Sequence, residues 1–210
     1  MTTPKITTLF LDIGGVLLTN GWDGEARDKV IEHFKLDGAE LNDRHHLTFD
    51  TYEEGKLSLT EYLNRIVFYE PRSFSQDDFI AVMYKQSLPF QKTIDYFKEI
   101  KKQYHLKVIA VSNEGRELNA YRIKEFKLNE LFDAYISSSF VHLRKPDEDI
   151  FRMATDISQT LPEHSLYVDD RLMFVRIAQS LGMNGLHYKG LDGAKTHLET
   201  FGLSLTDKKI

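Results

Sequence analysis

There is no cysteine among the 210 residues. Disulfides and thiolate-held metals are thereby excluded, which fits a reducing cytoplasm. No apolar run approaches the ~20 residues that cross a bilayer, so a membrane-embedded chain is not expected. Proline is scarce, at 5 residues, and there is no low-complexity segment or internal repeat. Basic charge is short too. The 27 Lys and Arg stand against 32 Asp and Glu, and no basic stripe offsets the net charge of −5. General nucleic-acid binding is therefore not expected. The opening Met-Thr-Thr-Pro-Lys leads straight into a strand pattern and lacks the layout of a signal peptide.

What is present points to an α/β chain. At ~150 residues per domain, 210 residues suggest one domain with a sizeable insertion. Such a chain can bury roughly 70% of its unfolded surface without staples. The 14 Phe and 10 Tyr mostly fill the core on this reading. Leu9, Phe10 and Leu11 form a continuous apolar run, as in a strand buried on both faces. Asp12 stands where that strand ends. Gly14 and Gly15 follow, so the backbone can turn sharply and come close to a ligand.

Further along, Asp23 suits a helix cap, with Ala26, Val30, Ile31 and Phe34 at helical spacing behind it. Residues 39–57 are mixed and polar and give no clear element. Helices are expected from Ser58 to Tyr69, from Ser75, and from beyond Pro89 to about Tyr104. The pattern then alternates. Strands are expected at 107–112, 134–139, 166–170 and 185–188, with helices between them. Pro146 and Asp147 suit the first turn of one of these helices. A short helix and a mobile tail close the chain. Alternating strands and helices predict a Rossmann-like doubly wound parallel sheet. Residues 18–88, helical and strandless, read as an inserted helical domain. Residues 1–17 and 89–210 read as the core.

Four polar features fall at strand ends or in the following loop: Asp12, Ser112, Lys145 and the pair Asp169-Asp170. In a parallel sheet these ends share one edge. Carboxylates gathered without a cation would repel one another and resist ionisation. Oxygen ligands of this kind suit Mg2+. Asp12 can bind the metal through one oxygen and attack phosphorus with the other, giving an aspartyl-phosphate. Ser112 can hold phosphoryl oxygens, and Lys145 can offset their charge.

This constellation resembles the haloacid dehalogenase-like hydrolase superfamily. Its four motifs correspond to Asp12-Ile-Gly-Gly-Val, Val108-Ile-Ala-Val-Ser112-Asn113, Lys145-Pro146-Asp147 and Val168-Asp169-Asp170. The resemblance implies that 18–88 is a first-position cap closing over the active site. The stretch between Ser112 and Lys145 is too short for the larger second-position cap. It also implies a nucleophilic Asp12, metal ligands Asp12, Gly14 (through its carbonyl), Asp169 and Asp170, and phosphate contacts from Ser112, Asn113 and Lys145. The run Tyr52-Glu-Glu-Gly-Lys-Leu-Ser-Leu-Thr-Glu-Tyr-Leu is similar to the subgroup with alpha-glucose-1-phosphate phosphatases. The expected activity is a cytoplasmic Mg2+-dependent phosphatase, monomer or homodimer, acting on a small phosphorylated metabolite.

One departure matters. The family's phosphatases usually carry a second Asp two residues after the nucleophile, which protonates the leaving oxygen; here that position is Gly14. General acid–base help is worth ~10²–10⁴ in rate. An ester with a good leaving group would need little such help; otherwise the acid comes from a water or from the helical segment, with His45, His46 and Glu53 as candidates. A metal-independent 2-haloacid dehalogenase and a non-catalytic phospho-ligand or protein-binding member are the alternatives. Phe174, in place of a frequent Asn, reads as core packing. Arg171 and Arg116 read either as site residues or as surface charges.

Overall fold

A computed structural model describes residues 5–205. Five parallel strands form one sheet: β1 (Thr8–Leu11), β2 (Lys107–Ser112), β3 (Ala134–Ser137), β4 (Ser165–Asp169) and β5 (Asn184–His187), in the order β3-β2-β1-β4-β5. The central strand is β1, with Leu11 opposite Ala110 on one side and Val168 on the other. The chain leaves β1 toward opposite flanks, so Asp12 lies at the switch point where such sheets open a crevice.

The apolar runs are explained by two covered faces. Leu9, Leu11, Val108, Ala110, Leu166 and Val168 pack with α5 (Gln91–Tyr104) and α10 (Leu191–Glu199). Phe10, Ile109, Val111 and Tyr167 point the other way, against α8 (Glu148–Ser158) and α9 (Leu172–Ser180). Phe174 is buried in that second layer, as the sequence suggested. On the sheet flank, α6 (Arg116–Glu125) follows β2.

Between β1 and α5 run four further helices: α1 (Gly24–Phe34), α2 (Gly38–Glu53), α3 (Leu59–Ile66) and α4 (Gln76–Tyr84). They share their own apolar core, including Trp22, Val30, Tyr62, Leu63, Phe79 and Met83, closed from below by Leu118 of α6. Their starts are written in the sequence. Asp23 accepts from the Ala26 N–H, and Ser58 and Ser75 form capping boxes with Glu61 and Asp78. The two ends of this helical segment meet at an antiparallel bridge, Leu18 to Pro89.

Several expectations shift. The polar stretch 39–57 is largely α2; its buried positions are Leu41, His45, Tyr52 and Glu53, and two polar side chains among four hide the helical period. The helix from Ser58 stops at Ile66, short of Tyr69. The third strand stops at Ser137, and Ser138–Val141 form a single helical turn, α7. Asp147 caps α8 rather than joining its first turn, and Pro146 precedes the cap after a cis peptide. The mobile tail expected after the last helix lies, beyond residue 205, outside the described residues.

Candidate active site

The end of β1 sets the first carboxylate. The Asp12 N–H still donates to the Val168 carbonyl (2.9 Å), so the strand pairing holds its base. Its Oδ1 accepts from the Ile13 N–H at 2.8 Å. From the loop before α8, Lys145 reaches in, 1% exposed; its Nζ lies 3.1 Å from Asp12 Oδ2 and 2.7 Å from Asp169 Oδ2. Carboxylate oxygens of Asp12, Asp169 and Asp170 all lie within 4.8 Å of one another. The structure therefore brings together four residues that the sequence spreads over more than 150 positions.

The partners of each group differ in a telling way. Asp169 is fully engaged: Oδ2 accepts from Lys145 and the Tyr167 hydroxyl, and Oδ1 accepts from the Arg171 N–H at 2.8 Å. Asp170 has a buried Oδ1 with no hydrogen-bond partner among the described residues. A buried, unpaired polar oxygen is costly and calls for an explanation. Burial pushes the Asp12 carboxyl up to about 7, with Lys145 opposing and Asp169 and Asp170 adding. Burial alone would lower the Lys145 ammonium, but Asp12 and Asp169 outweigh it and hold it above the ordinary lysine range. Burial, then Asp169, raises Asp170.

Close approach constrains Gly15 strictly and Gly14 more loosely. Gly15 has φ +70°, and a Cβ there would lie 2.1 Å from Asp170 Oδ2. A Cβ on Gly14 would lie 2.5 Å from Asn20 Oδ1. The tip of the Asn20 side chain would have to swing aside to admit a side chain at position 14.

Ser112, the last residue of β2, is buried and lines the same cavity. Asn113 lines it too, but its amide grips the Lys145 backbone at both ends: Nδ2 donates to the Lys145 carbonyl and Oδ1 accepts from its N–H, each at 2.8 Å. Its side chain thereby fixes the lysine loop. Arg116 donates to the Ser139 carbonyl (2.8 Å) and lies over the Phe140 ring, a surface arrangement.

Over this edge opens a cavity of about 460 Å³, within the usual size of a small-molecule site. Core residues form its floor; Trp22, His45, Phe49 and Glu53 of the helical segment form its upper wall. His45 Nδ1 lies 2.6 Å from the Tyr62 hydroxyl, which accepts from the Trp22 indole N–H at 2.8 Å. Every group in that chain is satisfied when Tyr62 donates to an unprotonated Nδ1. Burial, then Arg27, pushes His45 down to about 3, so it is neutral at physiological pH. His46 is exposed and does not line the cavity. Neither histidine therefore suits the role of proton donor.

Tyr167 and Asn20 are not marked out by the sequence reading, and Arg144 enters it only as part of the Arg144-Lys-Pro run that carries the subgroup resemblance. Tyr167 had a readable signal: two residues before Asp169 on a strand, it faces the same side. Arg144 pairs with Asp50 (2.7 Å) and Glu53 (2.5 Å), a contact between segments that spacing cannot reveal.

With this geometry in place, similarity to known proteins is informative. The chain is 26% identical over 201 residues to D-ribitol-5-phosphate phosphatase of Bacteroides thetaiotaomicron, covering 84% of this chain and 89% of that one. It is 25% identical over 180 residues to the sesquiterpene phosphatase astK of Aspergillus oryzae, covering 84% and 86%. Its fold matches the HAD family enzyme BT-2542 of Bacteroides thetaiotaomicron with a TM-score of 0.79, at 21% identity over 93% of this chain and 98% of that one. That enzyme has also been solved with magnesium and inorganic phosphate. The sequence model of the haloacid dehalogenase-like hydrolases matches residues 56–187. Together with the parallel sheet and its acidic edge, this makes the chain a member of the haloacid dehalogenase-like hydrolase family.

Proposed function

We propose that the chain is a Mg2+-dependent phosphomonoester phosphatase acting through an aspartyl-phosphate on Asp12, with a small phosphorylated metabolite such as a sugar or polyol phosphate as substrate. The observation that carries this reading is the convergence of Asp12, Asp169 and Asp170, the first two paired with the buried Lys145, at the floor of a cavity. The phosphatases among its relatives, and the magnesium and phosphate bound by BT-2542, agree with it.

The residues present fit the metal. The donors are all oxygen, as Mg2+ prefers. Three carboxylates against one ammonium leave two negative charges uncompensated, the charge of one divalent cation. The orphaned Asp170 Oδ1 supplies a ligand atom in want of a partner. Asp12, the Gly14 carbonyl and Asp170 would hold the ion. Asp169, whose oxygens already accept three donors, would reach it directly or through water. When bound, Mg2+ neutralises phosphoryl charge and acts as a Lewis acid.

Asp12 attacks phosphorus, the ester P–O bond breaks, and the phosphoryl group is carried on the carboxylate. Lys145, fixed by Asn113 and Asp169, balances the charge shared by Asp12 and the transferring group. Ser112 holds a phosphoryl oxygen. Water then cleaves the acyl phosphate and restores Asp12. Residues 18–88 act as a cap over a core of 1–17 and 89–210, a division supported by the Leu18–Pro89 bridge and by the separate apolar core of the four helices. The absence of cysteine agrees with a cytoplasmic setting.

The test is a panel of phosphate esters and 2-haloacids, each assayed with Mg2+ and with EDTA. EDTA-sensitive phosphate release that disappears in Asp12→Asn is the expected result. EDTA-resistant halide release would select a dehalogenase, whose metal-free site has no need of Asp169 and Asp170 together. No turnover, with a phosphorylated ligand or protein still bound, would select the non-catalytic reading.

A further inference from the structure

The family's usual proton donor is missing at Gly14. Another acid must lie in the cavity if esters with poor leaving groups are to be cleaved. Four carboxylates other than the cluster Asp12, Asp169 and Asp170 deserve comparison. Asp23 caps α1 through Ala26. Glu114 is paired with the buried Arg122 guanidinium. Asp50 is exposed and outside the cavity lining. Glu53 is left.

Glu53 is the last residue of α2, 6% exposed, and it lines the cavity with Asp12. Its place is fixed by contacts with the core. The Ser138 hydroxyl donates to the Glu53 carbonyl (2.7 Å), and His142 Nδ1 lies 2.7 Å from the Glu54 carbonyl. Gly55, at φ +71°, passes so close to Ser139 that a Cβ would lie 2.1 Å from its carbonyl oxygen. The end of α2 is thus set against the loop after β3, on the catalytic edge of the sheet. Both Arg144 contacts go to one oxygen, Oε2, at 3.1 and 2.5 Å. Oε1 has no hydrogen-bond partner among the described residues. The guanidinium is also shared with Asp50. Charged neighbours are Arg144, Arg171 and Glu114, and burial raises the carboxyl toward neutrality against the pull of Arg144.

We propose that Glu53 is the proton donor and acceptor of the reaction, supplied by the helical segment in place of the residue absent at Gly14. The proposal rests on the phosphatase reading above. In the first step Asp12 bonds to phosphorus, the bond from phosphorus to the ester oxygen breaks, and that oxygen takes the proton of the Glu53 carboxylic acid. In the second step the Glu53 carboxylate takes a proton from water as the water oxygen bonds to phosphorus. The bond between phosphorus and Asp12 breaks, phosphate leaves, and both side chains return to their starting forms.

The experiment compares wild type and Glu53→Gln on 4-nitrophenyl phosphate and on the best alkyl ester of the panel, by rapid mixing with Mg2+. A nitrophenolate leaving group needs no proton. Glu53→Gln is expected to show a first-turnover burst of one nitrophenolate per site, then slow by about 10²–10⁴-fold for want of the base. On the alkyl ester the first turnover itself should slow, with no burst, and kcat fall by a similar factor. The nitrophenolate burst itself certifies a folded site. Arg144→Met is the structural control: it removes the ion pair but keeps the carboxyl, and should slow both esters by a common factor. If Glu53→Gln slows the first turnover of both esters equally, or of neither, the proposal is overturned. The same follows if Arg144→Met reproduces the leaving-group dependence. Wild-type protein that releases no phosphate from either ester, or nitrophenolate release that survives Asp12→Asn, would instead overturn the phosphatase reading.

Discussion

Lys145→Met removes the one cation at the centre of the acidic cluster while keeping a side chain of similar length. The lysine is 1% exposed and serves Asp12 and Asp169 at once. Two effects compete. Burying an ammonium is expensive, so an apolar replacement recovers desolvation energy. Against this, the substitution leaves two buried carboxylates facing each other, with Asp170 beside them. The second effect wins, because breaking one side of a buried pair strands the other charge, at about 3–5 kcal/mol. For a chain of this size, about 2–4 °C per kcal/mol translates this into a drop in Tm of about 6–20 °C. The assay is urea and thermal unfolding at neutral pH, in EDTA and in Mg2+. The loss should be largest in EDTA and shrink in Mg2+, because a divalent ion offsets the same carboxylates. A loss below about 1 kcal/mol, the range of an exposed ion pair, would refute the claim that Lys145 neutralises this cluster. So would a loss that Mg2+ does not change.

Other outcomes follow from the same geometry. Gly15→Ala forces a Cβ onto Asp170 at a positive φ, costing about 1–2 kcal/mol of backbone strain; thermal shift against Mg2+ concentration should show weakened metal binding. Gly14→Asp should displace the Asn20 side chain, which its Cβ meets, and adding Asn20→Gly should raise activity on alkyl esters above that of the single variant. His45 gives a pH signature. Its folded pKa of about 3 lies below its ordinary value of 6.5, so the stability from keeping it neutral is present above pH 6.5 and declines as pH falls toward 3. Urea unfolding of His45→Gln should therefore lose less stability than wild type between pH 6.5 and 4.

The catalytic edge was legible because its residues follow apolar strand cores. Leu9 to Leu11 announce Asp12, Val108 to Val111 announce Ser112, and Leu166 to Val168 announce Asp169. Chain order alone could then gather them, since parallel strands end together. The upper wall was much less legible. In α2 the inward positions include His45 and Glu53, so its buried face carries too weak an apolar period to announce a helix. The grip of Asn113 on Lys145 and the sharing of Arg144 between Asp50 and Glu53 are long-range contacts with no periodic trace. The approach of Asn20 to Gly14 likewise exists only once the turn after β1 is folded.

The central step, bond formation between Asp12 and phosphorus, is open to direct observation. Protein mixed with substrate and Mg2+, quenched in acid during turnover and digested, should carry one phosphoryl group on the peptide containing Asp12, absent from Asp12→Asn and from protein mixed in EDTA. Turnover in H2(18)O should then place the heavy oxygen in released phosphate and leave Asp12 unlabelled. Heavy oxygen in the Asp12 carboxyl, or a phosphoryl group on any other residue, would contradict the mechanism.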